Sequence, residues 1–322
     1  YKSIQEAIDA ASAADTVTIT DNAIYEEQVT IDSTKSNLTL RSSDPKALSK
    51  PVIKWTDTVN VHPKTWDETK DEKTVNFYLN GALRLLNVRG VTVNGIKVDG
   101  GKRFPFGYPA VWNHRYPLFH GNAALVMWKT GDAIVKNSEF VNAYFGICID
   151  DQNLGGIYAN ANPADIQPWQ VIPLSGFDKT GNHLIEYNRI HDNSWGLFFD
   201  CTWNLGSTLR YNLFYENHHD DTTATLVKKL PDGYNQPGGA ILFKDLMLTP
   251  LAIYNNTFWH NYGELGAHWR AGTQHLIFNN IFAEPYEYYI TNKIFPNPYA
   301  AIDTKFANRM HNCIYACHEK KP

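Results

Sequence analysis

Hydrophobic residues recur along this chain in two different periods. Ile4, Ala7, Ile8 and Ala11 fall on one face of a helix, and Ser3 and Glu6 have the spacing of a capping box at its start. A short cap helix is therefore expected at the N-terminal end. Beyond it the period drops to two. Thr16-Val17-Thr18-Ile19-Thr20 and Glu27-Gln28-Val29-Thr30-Ile31 alternate as half-buried strands do, with Asp21-Asn22-Ala23 and Tyr25 between them. Strands of this kind continue to the C-terminus.

The strands are copies of one another. Tyr187-Asn188-Arg189-Ile190, Tyr211-Asn212-Leu213-Phe214, Tyr254-Asn255-Asn256-Thr257-Phe258 and Phe278-Asn279-Asn280-Ile281-Phe282 repeat a single element. Asn188 to Asn212 and Asn256 to Asn280 are each 24 residues, and the 44 from Asn212 to Asn256 is one period plus an inserted loop. Lys136-Asn137-Ser138-Glu139-Phe140, Val93-Asn94-Gly95-Ile96 and His311-Asn312-Cys313-Ile314 are looser copies. A period in the twenties built of short strands predicts a solenoid whose coils stack their cores, so all 322 residues are expected to form one domain, 1–322. Leucine-rich repeats would need Leu-x-x-Leu-x-Leu runs, and a β-propeller would need longer units. An inward Asn at a turn can bond the backbone of the neighbouring coil, which gives these residues a structural role and no catalytic one.

The opening YKSIQEAIDAASAADTVTITDNAIYEEQVTI, followed by coils ending in YNLF, YNNTF and FNNIF, resembles the pectin-lyase-like superfamily over nearly the whole chain. The resemblance implies an all-β fold: a right-handed parallel β-helix with a short N-terminal cap helix and long inserted loops. That superfamily holds pectate and alginate lyases, polygalacturonases, β-helical xylosidases and non-catalytic carbohydrate-binding modules. It is specific for fold and leaves activity open.

Composition narrows the ligand. Charged residues make up only 19% of the chain and the formal net charge is −4, which argues against nucleic acid and favours a neutral or mixed glycan such as xylan over a heavily anionic polymer. No apolar run is long enough to span a membrane. Aromatic residues reach 13%, with 9 Trp and 18 Tyr, more than core filling needs, so some are expected at the surface. Cys148, Cys201, Cys313 and Cys317 lack paired metal spacing; a terminal disulfide fits, with its pairing open. The chain begins at Tyr1 without an initiator Met, so it is expected to be a piece of a longer secreted protein whose other domains would be catalytic or binding partners.

Five strands precede the Asn turns: 124–129, 146–151, 196–201, 239–244 and 266–271. With Trp128, Ile149, Phe199, Phe243 and Trp269 pointing inward as a core ladder, period two sends Lys129, Asp150, Asp200, Lys244 and Arg270 outward in one column. Met127, Cys148, Phe198, Leu242 and His268 form the next outward row. Adjacent like charges perturb one another's ionisation, a property more frequent at functional sites than at structural ones. A surface ladder of ion pairs, Asp200 with Lys244 above all, is the structural alternative.

Three functions compete for this column. In a glycoside hydrolase, Asp150 and Asp200 share the acid and the nucleophile or base roles. NRIHDNSWGLFFD followed by NLFYEN resembles the β-helical xylosidases, which implies Asp200 as nucleophile; their acid/base Glu would fall where this chain has Phe243-Lys244, so Asp150 or Asp151 must supply the second carboxylate. In a lyase, Lys244 or Arg270 removes the proton α to a uronate carboxyl while Asp150, Asp151 and Asp200 hold Ca²⁺. FKD…YNNTF…HWRAG resembles alginate- and chondroitin-lyase-like β-helices loosely. In the third reading no cofactor and no chemistry are needed, and the chain is a xylan-type binding module attached to a glycoside hydrolase.

Lys129, Asp151, Phe198, His268, Trp112, Trp169 and Trp203 are the expected substrate contacts, the three tryptophans as sugar-stacking rings or as loop anchors. Loops 101–122 and 151–182 are long enough to wall a groove beside the column. The 217–238 insertion carries His218, His219, Asp220 and Asp221, a candidate metal cluster or a solvated loop, and 56–74, with Trp66, reads as a surface excursion.

Overall fold

The computed structural model describes residues 1–56, 81–103, 105–106, 120–150, 180–200, 206–220, 238–244, 251–267, 275–284, 288–291, 307–310 and 313–315. Asp200 and Lys244, among others, are described in their backbone alone. The chain winds through three parallel sheets in turn. Sheet I runs from Thr16–Ile19 to Ala307–Met310, sheet II from Ile24–Tyr25 to Cys313–Tyr315, and sheet III from Val29–Asp32 to Tyr288–Thr291; among the described residues they hold nine, nine and eight strands. Each strand pairs with its counterpart one coil earlier and one coil later. This is a parallel β-helix, as the repeat predicts.

The N-terminal end is capped as expected. A helix spans Ile4–Ala10, Ser3 accepts the Glu6 amide at 3.0 Å, and Ile4 and Ile8 are buried against the first coil. Glu6 takes the Lys2 amide (3.1 Å), while the amides of Ile4 and Gln5 are held by Glu27 at 2.7 and 3.0 Å. The first-turn donors are thus satisfied from the next segment of chain.

Inside, like residues stack on like. Phe214, Phe258 and Phe282 lie face to face at 5.0 and 4.8 Å on sheet II, and Phe199 and Phe243 at 5.8 Å on sheet III. Val93, Val135, Ile185, Leu209, Ile253 and Ile277 continue the core on sheet I. Each buried Phe contributes about 2–3 kcal/mol by transfer from water.

The Asn residues of the repeat form two ladders. Asn188, Asn212, Asn256 and Asn280 line the corner between sheets I and II; each Oδ1 from Asn212 on accepts both the N–H and the Nδ2 of the Asn one coil earlier at 3.0–3.1 Å. Each Nδ2 also donates to a backbone carbonyl, as Asn256 does to Leu209 at 3.0 Å. A second ladder, Asn193–Asn217–Asn261, repeats this at the corner between sheets II and III. The residue before each Asn of the first ladder takes a left-handed conformation: Tyr187, Tyr211, Asn255 and Asn279, with Gly95 and Asn137 at the same corner of earlier coils. These corners leave no slack. From Asn94 on, every connection from sheet I to sheet II is two residues long.

The corner from sheet III back to sheet I uses histidine instead. Nδ1 of buried His183 accepts the Ala133 amide at 3.3 Å, and Nδ1 of buried His275 the Leu251 amide at 3.1 Å. Burial pushes both imidazoles down to about 4, in His183 against the opposing charge of Asp132.

Two predictions follow from these ladders. Asn256→Ala strands the buried Asn212 amide and the Leu209 carbonyl, and chemical denaturation should show a loss of roughly 3 kcal/mol or more. For the histidines, a folded pKa below the unfolded value means that their contribution is complete above about pH 6.5 and is lost as pH falls toward 4, by up to roughly 3 kcal/mol each. The double variant His183→Asn, His275→Asn keeps an acceptor at each position without the proton. Its thermal midpoint should fall less than that of the parent between pH 7 and pH 4.5.

Candidate functional site

Insertions mark one flank of the solenoid. The long connections 55–80, 100–122, 151–183, 216–238 and 292–306 all lead into or out of a strand of sheet III. Within 100–122, Pro105–Phe106 pairs antiparallel with His120–Gly121, so this excursion starts as a two-stranded ribbon.

The outer face of sheet III carries three rows of side chains. Ala123, Phe145 and Trp195 form the first row, and Val126, Cys148, Phe198 and Leu242 the second. Phe145 and Phe198 stack at 4.3 Å, and Tyr144 packs edge-on to Phe145 at 4.8 Å with its hydroxyl bonded to Trp195. These residues are buried, so from Ala123 on the outer face is a second apolar layer; one coil earlier its second row holds Arg84, which donates to Thr30 Oγ1. The third row, at the strand ends, is Leu86, Trp128, Asp150, Asp200 and Lys244, in Cα register.

The expected charged column is therefore corrected at both ends. Met127 pairs with Ile149 and occupies the core position assigned to Trp128, which pairs instead with Asp150. Val126 accordingly takes the place in the second row expected for Met127. Lys129 lies beyond the strand, in the left-handed conformation that Asn87 adopts one coil earlier. The chain turns there, and a turn residue cannot also extend the outward row. At the other end Ala267 pairs with Phe243, and Gly266 with Leu242, where Trp269 and His268 were expected. The slip is one residue at the first end, where Ala123–Trp128 is apolar at every position and alternation cannot choose a face, and two at the other, where a two-residue shift preserves the alternation that sequence reading relies on.

Three residues of the expected set do fall in one backbone register. Asp150 and Asp200 are Cα partners on neighbouring strands, and Lys244 is the next partner of Asp200. Neighbouring strands lie about 4.8 Å apart. Asp150 is 2% exposed. Lys129, bulky and in a left-handed turn, is 8% exposed and sets its Nζ 4.5 Å from the centroid of the Trp128 ring. Phe198 belongs to the buried second row. Asp151, Arg270, His268, Trp112, Trp169 and Trp203 lie outside the described residues, as do Asp221, Trp66 and Cys317. Of the carboxylates expected to hold Ca²⁺, only Asp150 is described to its side chain, and no group of three or more His, Cys, Asp or Glu among the described residues is placed to hold a metal ion.

Sequence reading missed Trp128, Phe145 and Trp195 as outer-face aromatics. The available signal was the glycine that follows Phe145 and Trp195. A Cβ on Gly146 would meet the Gly196 carbonyl oxygen at 2.5 Å, and one on Gly196 the Ala240 carbonyl oxygen at 2.7 Å. Such close approach fixes where each strand begins.

Other charges form structural networks. On sheet II, Glu139 binds Lys97 at 2.7 Å and Arg189, with His191 at 3.5 Å. Burial would raise Glu139, but bonds from His191 and Lys97 and the nearby cations hold it at about 2. Arg103, at the root of the 100–122 excursion, donates to the backbone carbonyls of Asp192 (2.7 Å) and His218 (2.6 Å), tying the excursion to two coils.

No protein-family model and no curated protein sequence matches the chain. Solved structures do. The chain is similar to the pectin methylesterase of Aspergillus niger (13% identity, 98% of this chain and 82% of that one, TM-score 0.52). It is similar also to that of carrot (10% identity, 98% and 79%, TM-score 0.52) and to that of Yersinia enterocolitica (11% identity, 98% and 90%, TM-score 0.54). At these identities the likeness establishes the fold, a right-handed parallel β-helix of the pectin-lyase-like kind.

Lys129→Asn tests the site without disturbing the turn, since Asn tolerates the left-handed conformation. Its stability should stay within about 1 kcal/mol of the parent, while turnover on any polysaccharide the protein cleaves should fall at least tenfold; unchanged turnover would remove Lys129 from the site.

Proposed function

We propose that the chain is a secreted hydrolase acting on a polysaccharide laid along sheet III, with Asp150 and Asp200 as its working carboxylates. The observation that carries this reading is the pair of aspartates in Cα register on the one sheet that all the long insertions adjoin. Carboxyl groups about 5–5.5 Å apart suit a retaining glycosidase, and in-register neighbours on a parallel sheet favour that short separation. Asp200, with Lys244 next in register, is the carboxylate whose ionised form a neighbouring cation favours, so it is assigned as nucleophile. Asp150, between Trp128 and Asp200, protonates the leaving oxygen and then activates water. A net charge of −4 favours a neutral or mixed glycan such as xylan. No helix among the described residues is long and apolar enough to cross a membrane.

A second reading has one observation in its favour: the similar structures named above are pectin methylesterases. On that reading the same carboxylate attacks the carbonyl of a uronate methyl ester, its partner protonates the departing methanol, and water regenerates the enzyme.

The test is incubation with xylans, mannans, glucans, pectins of high and low methylation, and alginate, following reducing ends, methanol and the absorbance of unsaturated uronates. New reducing ends alone are expected, with Asp150→Asn and Asp200→Asn each lowering the rate by about 10³ or more. Methanol alone would move the chemistry to the ester. Unsaturated uronates would shift it to Lys244 and Arg270. Retardation in a polysaccharide gel with no product would leave a binding module.

A further inference from the structure

The corner between sheets I and II holds a feature that the repeat does not need. Where other coils place Gly95, Asn137, Asn255 and Asn279 in the left-handed conformation, two neighbouring coils place Tyr187 and Tyr211, both at φ 57°. Small or amide residues are favoured there because a bulky side chain crowds the following carbonyl. Apart from the terminal Tyr1, these are the most exposed aromatic side chains among the described residues, at 52% and 43%. Their rings stack at 4.9 Å and 8°. Arg210 braces the pair: its guanidinium lies 5.8 Å from the Tyr211 ring centroid, and it bonds Glu186 at 2.8 Å and the Tyr254 hydroxyl at 3.2 Å.

On its other side Tyr187 faces short residues. One coil earlier the corner residue is Asn137, whose Nδ2 donates to Asn94 Oδ1 at 2.9 Å. One coil earlier again, Pro45 stands where a side chain on Gly95 would be, its Cα 2.3 Å from that notional Cβ. Lys50 pins this loop by donating to the carbonyls of Pro45 and Ala47 at 2.9 and 3.0 Å. The outcome is a notch above Asn137, with the Pro45 loop as one wall and the face of Tyr187 as the other. The walls are two coils apart, roughly 10 Å, which leaves room for one ring between them.

We propose that this notch is a second glycan-binding site that takes a pyranose unit of the polymer, remote from sheet III. The proposal rests on the polysaccharide reading above. An apolar C–H face of the sugar lies on Tyr187, and its hydroxyls reach the Asn137 and Asn94 amides on the floor and the Lys136 and Glu186 side chains of the outward row beside it. A polar floor one ring wide suits a sugar rather than the aliphatic face of a protein partner.

Tyr187→Asn restores the residue that neighbouring coils use, so the fold is kept while the wall is removed. Electrophoresis in gels containing soluble xylan, arabinoxylan, pectin or mixed-linkage glucan is run in the Asp200→Asn background. Retardation by at least one polymer is expected in that background, falling at least fivefold with Tyr187→Asn and largely retained with Tyr187→Phe. Cleavage of short oligosaccharides by the Tyr187→Asn single variant should equal that of the parent. Equal retardation with and without Tyr187, or none by any polymer, overturns the notch site. Failure of the hydrolase reading shows separately, as intact oligosaccharides.

Discussion

Every coil of this protein depends on the next one to satisfy its buried polar groups. A corner placed inside a stack cannot be hydrated, so its amides and carbonyls must be bonded by the coil above or below. The two Asn ladders do this with one side chain per coil, whose Oδ1 takes two donors from the preceding coil while Nδ2 fills a carbonyl. The arrangement works only if successive corners are in register. That requirement fixes the two-residue connections from sheet I to sheet II and leaves no room there for added chain.

Insertions collect instead at the two corners that flank sheet III, even where the second ladder continues, since the 216–238 connection carries Asn217. This places the long loops on that flank, independent of any particular residue. The outer face of sheet III also departs from the half-solvated face of an ordinary sheet. Phe145, Trp195 and Phe198 make it apolar and buried over these coils, with Arg84 in the second row of an earlier coil and Asp150, Asp200 and Lys244 at the strand ends.

Two departures from the repeat stand out at its left-handed corners. Lys129 and Tyr187 occupy left-handed corners that Asn or Gly fill on other coils. Each gives up some local backbone preference: Lys129 is buried with its Nζ over the Trp128 ring, and Tyr187 exposes its ring. Positions that obey the repeat, such as Asn256 or Phe258, report only on stability.

The sequence by itself determined the solenoid, its cap helix, its period and the structural role of the turn Asn residues, because each is written in local spacing and every coil repeats the statement. It also paired Asp150 with Asp200, since both close strands of like pattern, Phe-Gly-Ile-Cys-Ile-Asp and Trp-Gly-Leu-Phe-Phe-Asp. Only the tertiary structure decided that Trp128 rather than Lys129 joins their row, and that Ala267 rather than Trp269 lies beside Phe243. The reason is physical: an all-apolar strand such as Ala123–Trp128 has no alternation to choose its faces, alternation elsewhere says nothing about sliding by two, and the true register is set by corners whose partners lie a whole coil away in the chain. The same distance hid the corner at Tyr187, where Pro45, Asn137 and Tyr187 belong to different coils and adjoin only once those coils are stacked.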